Sequence, residues 1–317
     1  MDRFMDMKKG ISVLLALCLG IYAQAAADVV VKFGIVTDTQ YDPDVKGKGS
    51  SRHYSEGVSR LSEAVDTFVG IPDLDFVADL GDMTDRNPFC YGDLKAVKDR
   101  LKVPVYNVQG NHDLVPLKTE EDMSRARALK GIEKPYFSFV KGNVRFIVLN
   151  SLDYCPIAHP EGSDRLKASE QWLTDLESVD DPNAQDWNGG IGLRQLSWLD
   201  AELLDADRKG QWAVLMCHIP LLPFDAGDSL WNAMEVIRLI ESHPSVKAVL
   251  TGHRHGGGYV FRNGIHHLTF RGMVQGEANR YSVVSIDTAS GRIEIDGYGD
   301  EPDRIIIISQ NNNSRHE

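Results

Sequence analysis

Cysteine is scarce in this chain: 4 among 317 residues, at positions 18, 90, 155 and 217. Cys18 falls in an N-terminal apolar stretch, and the odd number left beyond it gives no disulfide framework. A single bridge between Cys90 and Cys155 stays open in an oxidising compartment, while Cys217, inside an apolar run, reads as a small buried residue. Positive charge is also short. Lys and Arg number 34 against 46 Asp and Glu, a formal net charge of −12, which disfavours nonspecific binding to nucleic acid or anionic lipid. Internal repeats and low-complexity tracts are absent. The apolar stretch Ile11 to Ala23 is shorter than the ~20 residues a membrane-spanning helix needs. It follows Lys8 and Lys9 and ends in Ala23-Gln24-Ala25. A basic start, an apolar middle and a small-residue end make residues 1–25 a secretory signal. The mature chain is therefore expected to be secreted or periplasmic, with no stable membrane association. Removal of the signal takes away one net positive charge and leaves −13, part of which bound cations are expected to neutralise.

What is present is a globular composition, 42% hydrophobic and 25% charged, so one or two packed domains are open. Val29 to Val36 is a near-continuous β-branched run of the kind expected for a strand covered on both faces. Tyr54 to Phe68 carries apolar residues at helical spacing. Strands are expected at Asp75 to Leu80 and Val103 to Val108, then a hairpin of Tyr136 to Val140 and Val144 to Leu149 about Gly142-Asn143. A helix over Leu193 to Leu204, a strand at Trp212 to Met216, a helix near Trp231 to Ile240 and a strand at Val246 to Leu250 follow. Late hairpins pair Tyr259 to Arg262 with Ile265 to Phe270, about Asn263-Gly264, and Ser282 to Ile286 with Arg292 to Gly297. This order predicts an α/β fold, a mixed β-sandwich flanked by helices. Cys155 to Ile191 breaks the alternation: rich in Asp, Pro, Gly and Asn, with one short helical stretch around Ala168 to Leu176, it is an insertion and a candidate lid. One domain over residues 29–308 and a frayed tail over 309–317 complete the layout.

Five polar motifs each follow a run read as a strand: Asp38-Thr39-Gln40, Gly81-Asp82, Gly110-Asn111-His112-Asp113, His218 and Gly252-His253-Arg254-His255. Ligands of open α/β sheets bind beyond the carboxyl ends of strands, so these side chains are expected at one rim. Two carboxylates, two amides and four imidazoles suffice for two divalent cations with one imidazole to spare. A pair of metals acidifies water and clamps phosphoryl oxygens, which is the chemistry of phosphoester hydrolysis. Asp82 is the candidate bridge, Asp38, Gln40 and His255 candidates for one metal, and Asn111, His218 and His253 for the other. Mixed oxygen and nitrogen donors suit manganese, iron, zinc or magnesium. His112 is assigned to protonating the leaving group, with Asp113 as its hydrogen-bond partner. Tyr41 and Arg304 are weaker candidates for contact with a small nucleotide or phosphoester substrate. Alone, a Gly-Asp pair is usually a turn and two alternate histidines usually a solvated loop; five motifs in this order, each after a strand, are harder to reach by chance.

These motifs resemble those of the calcineurin-like metallophosphoesterase superfamily, D-x-H, G-D, G-N-H-D/E, H and G-H-x-H, over Phe33 to about His267. The resemblance implies the four-layer fold of the metallo-dependent phosphatases. Gln40 stands where most members have His, and an amide is a weaker, neutral ligand. With that Gln the chain is similar to the manganese-dependent ADP-ribose/CDP-alcohol diphosphatases, in which D-x-Q is usual. Phe33-Gly34-Ile35 before Asp38-Thr39-Gln40-Tyr41, Gly189-Gly190 before Gln195-Leu196-Ser197-Trp198-Leu199, and Gly252 to Tyr259 carry the likeness. It implies manganese and cleavage of the pyrophosphate or phosphodiester bond of nucleoside diphosphate conjugates. The alternatives are a broad or cyclic-nucleotide phosphodiesterase of the same superfamily, and a catalytically silent metal- or nucleotide-binding relative.

Overall fold

The computed structural model describes residues 30–45, 51–223 and 227–308; the expected signal at 1–25 and the tail at 309–317 lie outside them. Twelve strands form two six-stranded sheets among the described residues. The first contains β1 (Val31–Val36), β2 (Phe76–Asp79), β3 (Val105–Asn107), β10 (Arg280–Asp287), β11 (Arg292–Gly299) and β12 (Arg304–Ile307), in the order β12-β11-β10-β1-β2-β3. The second contains β4 (Phe137–Lys141), β5 (Val144–Val148), β6 (Trp212–Met216), β7 (Val246–Thr251), β8 (Gly258–Arg262) and β9 (Ile265–Thr269), in the order β4-β5-β6-β7-β9-β8. Strands β1, β2 and β3 run parallel in the first sheet, as do β5, β6, β7 and β9 in the second. The chain thus brings all these carboxyl ends to the same edge of the sandwich.

The sheets pack face to face through the inward side chains of both, with Phe33 stacked on Phe76 at 4.6 Å and Phe146 edge-on to each. The helices α1 (Gly57–Val69) and α2 (Tyr91–Lys98) cover the outer face of the first sheet, burying Leu61, Val65, Phe68 and Leu94 against Val36 and Val77. On the second sheet α5 (Leu193–Lys209) and α6 (Ala233–Glu241) bury Leu199, Leu203, Val236 and Ile240 against Leu215 and Val249. Four layers result, and strands such as β1, β6 and β7 are mostly buried on both faces, hence the long apolar runs of the sequence. Gly34 is needed where it stands: a Cβ there would lie 2.7 Å from the Phe68 ring. Among the described residues no helix is long and apolar enough to cross a membrane.

Several expectations are revised. Helices α2 and α3 (Glu120–Leu129) and strand β12 were not anticipated. In α3 only Met123 and Ala126 are buried, so no apolar stripe marks it; its signal is the Thr119 cap, whose hydroxyl accepts from the Asp122 amide. The insertion carries a 14-residue helix, α4 (Asp164–Glu177), longer than its apolar spacing suggested because the Ser163 hydroxyl caps its start. Cys90, Cys155 and Cys217 are free thiols, so the bridge left open between the first two is not formed.

Candidate metal centre

Each candidate ligand sits in a tight turn just past a strand, and the turns are held in unusual backbone. Six non-glycine residues among those described adopt left-handed φ, and four of them are Asp38, Gln40, Asp82 and His253. Such conformations cost about 1–3 kcal/mol each and persist where the surroundings impose them. Here the imposition is explicit: the amides of Asp38 and Gln40 donate to the carbonyls of Gly81 and Asp82, at 2.9 and 2.8 Å. The motif glycines allow the turns to touch. A Cβ on Gly110 would collide with the carboxylate and amide of Asp82, and one on Gly252 with the side chains of Thr37 and Asp38.

Around His218 the lone pairs converge. Its Nδ1–H donates to the Leu80 carbonyl at 2.8 Å, so Nε2 is left as the ligand atom. That nitrogen lies 3.1 Å from Asp82 Oδ2, 3.1 Å from Asn111 Oδ1 and 3.2 Å from His253 Nδ1. Burial opposes a charge on His218, but the Asp82 carboxylate prevails and pushes its pKa up to about 10. Burial and the charge on His218 push His253 down to about 3. Asp82 is also buried, yet His218 and then His112 hold its carboxyl well below the usual range. One proton therefore sits among four acceptors, the place that coordination chemistry gives to a cation. Spacings of 3.1–3.2 Å suit neighbouring ligands on one ion with bonds of about 2.1 Å.

The second half of the cage is built from Asp38, Gln40 and His255. His255 Nε2 lies 3.2 Å from Asp38 Oδ1. Burial pushes the Asp38 carboxyl up, but its hydrogen bond to His255 outweighs this and leaves it below the usual range. Gln40 Oε1 is buried with no hydrogen-bond partner, and its Nε2 makes only a 3.5 Å contact with Asp82 Oδ2. An amide oxygen withdrawn from water and left unpaired costs about 1–3 kcal/mol, a debt that a cation would cancel. The donor set fits two hard or borderline divalent ions: carboxylates, amide oxygens and imidazoles, with no thiolate.

The structure brings Asp38, Gln40, Asp82, Asn111, His218, His253 and His255 together, and His112 opens onto the same cavity of about 240 Å³. His112 departs in one respect from expectation. Its Nδ1 lies 2.6 Å from Asp85 Oδ1, not from Asp113. Asp113 instead accepts from the backbone amides of Asp82, Met83, Thr84 and Gly110 and pairs with the buried Lys130 at 2.5 Å, so its carboxylate has no room for the imidazole. Asp85 was missed; its only mark in the sequence is its place three residues after Asp82, in the same turn. Tyr41 and Arg304 are not brought to the cavity. The Tyr41 ring packs under α1 and its hydroxyl bonds Asp93 at 3.0 Å, while Arg304 pairs with Glu301 at 3.0 Å at the start of the edge strand β12. Two residues of the insertion do reach the centre. Trp187, 42% exposed, lines the cavity, and Asn188, fully buried, touches His253. A broader recess of about 550 Å³ adjoins it, lined by Arg52, Arg254, Arg271 and Arg280 with one carboxylate, Asp228, among them; Arg280 also pairs with Asp300 at 3.2 Å.

Residues 31–257 match the family described as calcineurin-like phosphoesterase. The chain is 31% identical to a manganese-dependent ADP-ribose/CDP-alcohol diphosphatase of Arabidopsis thaliana, over 86% of this chain and 96% of that protein. It is 27% identical to the protein of the same name in Oryza sativa subsp. japonica, over 93% and 96%. Its fold is similar to the crystal structure of a dimetal phosphatase from Danio rerio, with a TM-score of 0.76 and 26% identity over 88% of this chain and 99% of that one.

Proposed function

The chain belongs to the calcineurin-like phosphoesterase family, and from that premise we propose that it hydrolyses the diphosphate bond of nucleoside diphosphate conjugates of the ADP-ribose and CDP-alcohol type, with manganese as its metal. Asp38, Gln40 and His255 would hold one ion, Asn111, His218 and His253 the other, with Asp82 between them. When bound, such a pair supplies Lewis acidity towards phosphoryl oxygens and lowers the pKa of water. The protein's own residues do the rest. His112 presents Nε2 to the cavity while Asp85 fixes its ring through Nδ1. Burial opposes a charge on this imidazole, but Asp82 and Asp85 outweigh it and raise its pKa, which favours the protonated form that a proton donor to the departing oxygen needs. The backbone amide of His112 donates to Asp82 Oδ1 at 2.8 Å, which ties the proton donor to the candidate bridging carboxylate.

The observation that carries this reading is a cage of converging lone pairs with an imidazole at its mouth whose far nitrogen is already engaged. The diphosphate preference draws on the relatives' names and on the arginine-lined recess beside the cage, where the phosphate that is not attacked would find positive charge. Trp187 offers a flat face to a base or ribose. Export of the enzyme rests on residues 1–25, and sequencing of protein from the exported fraction is expected to find a mature N-terminus at Ala26.

The test is turnover of ADP-ribose, CDP-choline, cyclic nucleotides and p-nitrophenyl phosphate with added manganese. The expected result is AMP from ADP-ribose and CMP from CDP-choline at the highest kcat/KM of the set. Turnover confined to p-nitrophenyl phosphate or to cyclic nucleotides would replace this reading with a monoesterase or a cyclic phosphodiesterase. Turnover of none, with any divalent ion, would leave a binding protein.

A further inference from the structure

We propose that Asn188, from the insertion, is a positioning residue for the metal centre: it fixes the tautomer and ring orientation of His253 and so sets the affinity of the site that His253 serves. Asn188 is fully buried, and its two amide atoms have separate duties. Nδ2 donates to the Asn183 carbonyl at 3.1 Å and to the Gly227 carbonyl at 2.9 Å. Both partners are acceptors only, so the amide cannot be turned round. Oδ1 is therefore the atom that faces His253 Nε2, at 3.2 Å. An oxygen there requires a proton on Nε2. The neutral ring then keeps its lone pair on Nδ1, the nitrogen 3.2 Å from His218 Nε2 and directed into the cage. The histidine's backbone amide is fastened separately, to Asp38 Oδ2 at 2.9 Å.

Asn188 is itself well anchored. Asn183 Oδ1 accepts from the Ser229 amide at 3.1 Å, and Gly190 pairs with Tyr154 in an antiparallel bridge that closes the base of the insertion. The insertion thus reaches the centre through a chain of hydrogen bonds, and its departure would free the ring of His253 to rotate. Outer partners of metal-binding histidines commonly account for 10–100-fold in affinity. This inference rests on His253 being a metal ligand, as the proposed function has it.

The test uses the full chain stripped with a chelator and titrated with manganese by calorimetry, with the electron paramagnetic resonance of the coupled pair as a second readout. Asn188→Leu keeps the branched shape of the side chain and removes the acceptor; one of the two ions should bind roughly 10–100-fold more weakly and the coupled signal should give way to that of a single ion. Asn188→Asp restores an acceptor towards His253 but loses both anchoring donations, so it should bind manganese within about threefold of the wild type while melting at a lower temperature. A merely structural residue would show the reverse pattern: stability lost in both variants and manganese affinity unchanged in either, which overturns the proposal. Should the leucine variant fail to fold, imidazole ¹⁵N resonances of the wild-type protein decide. A proton on Nε2 of His253 supports the assignment and one on Nδ1 overturns it. A wild-type protein that binds no manganese at all would sink the reading of the cage as well, whereas two ions bound tightly by both variants would sink only the role of Asn188.

Discussion

His112 and Gly110 show how differently two neighbours in one turn can matter. His112 touches no candidate ligand with its ring; it is held by Asp85 and faces the cavity. Its replacement by Ala is expected to lower kcat on ADP-ribose by roughly 10²–10⁴-fold and to leave manganese content intact. The loss should shrink on a p-nitrophenyl ester, whose leaving group needs no proton. Metal analysis alongside the kinetics checks this, and loss of manganese would move His112 into the cage itself. Gly110 does no chemistry, yet a methyl group there would strike Asp82 at its carboxylate and its amide. Gly110→Ala should therefore abolish manganese binding and turnover together while far-ultraviolet circular dichroism stays that of the folded chain. Undiminished metal affinity in that variant would mean Asp82 is not a ligand.

Strand β9 carries a group with no share in the reaction. His267 pairs in register with Val249 and Val260, and both its nitrogens are buried without a partner. Burial pushes its pKa from 6.5 down to about 4, partly offset by Glu241. In the unfolded chain the same imidazole takes its proton first as pH falls. The folded state therefore keeps its full stability above pH 6.5 and loses it steadily towards pH 4, by at most about 3 kcal/mol. His267→Phe should remove that slope: between pH 7.5 and 4.5 the unfolding free energy of the variant, from urea titrations, is expected to rise relative to that of wild type by that order. Parallel curves would mean His267 titrates normally. This strand was legible in the sequence as Ile265 to Phe270 through the Asn263-Gly264 turn that opens it, whereas β1, β6 and β7 were legible because covering both faces writes a nearly unbroken apolar run. The elements that escaped are those packed on one side or hardly at all: α2, α3 and the edge strand β12. Of the centre, the motifs marked every residue whose spacing follows a strand. Asp85 and Asn188 act on neighbouring imidazoles across 27 and 65 positions of sequence, and no local pattern records such a contact.

The two sheets divide the cage between them. Asp38, Gln40, Asp82 and Asn111 follow strands of the first sheet, and His218, His253 and His255 follow strands of the second. Each sheet alone presents an incomplete set, so a cation held by both would tie the layers at one edge, where the aromatic packing of Phe33, Phe76 and Phe146 lies deeper between the sheets. The chain's excess of acidic residues, −12 in all, includes the Asp38 and Asp82 carboxylates brought to that edge. A ligand that binds only the folded state at a hundred times its dissociation constant adds about 2.7 kcal/mol. For a chain of this size each kcal/mol moves the melting temperature by about 1.5–2 °C. Removing manganese with a chelator is thus expected to lower Tm by roughly 4–5 °C per site, and re-addition should restore it. The loss should be smaller for His255→Ala, which already lacks one ligand of the first site, and absent for Asp82→Asn if the candidate bridge is indeed shared by both ions. Scanning calorimetry on the three chains, with and without chelator, separates a clamp between the sheets from a site that merely sits on one of them: in the second case Asp82→Asn would keep half of the shift.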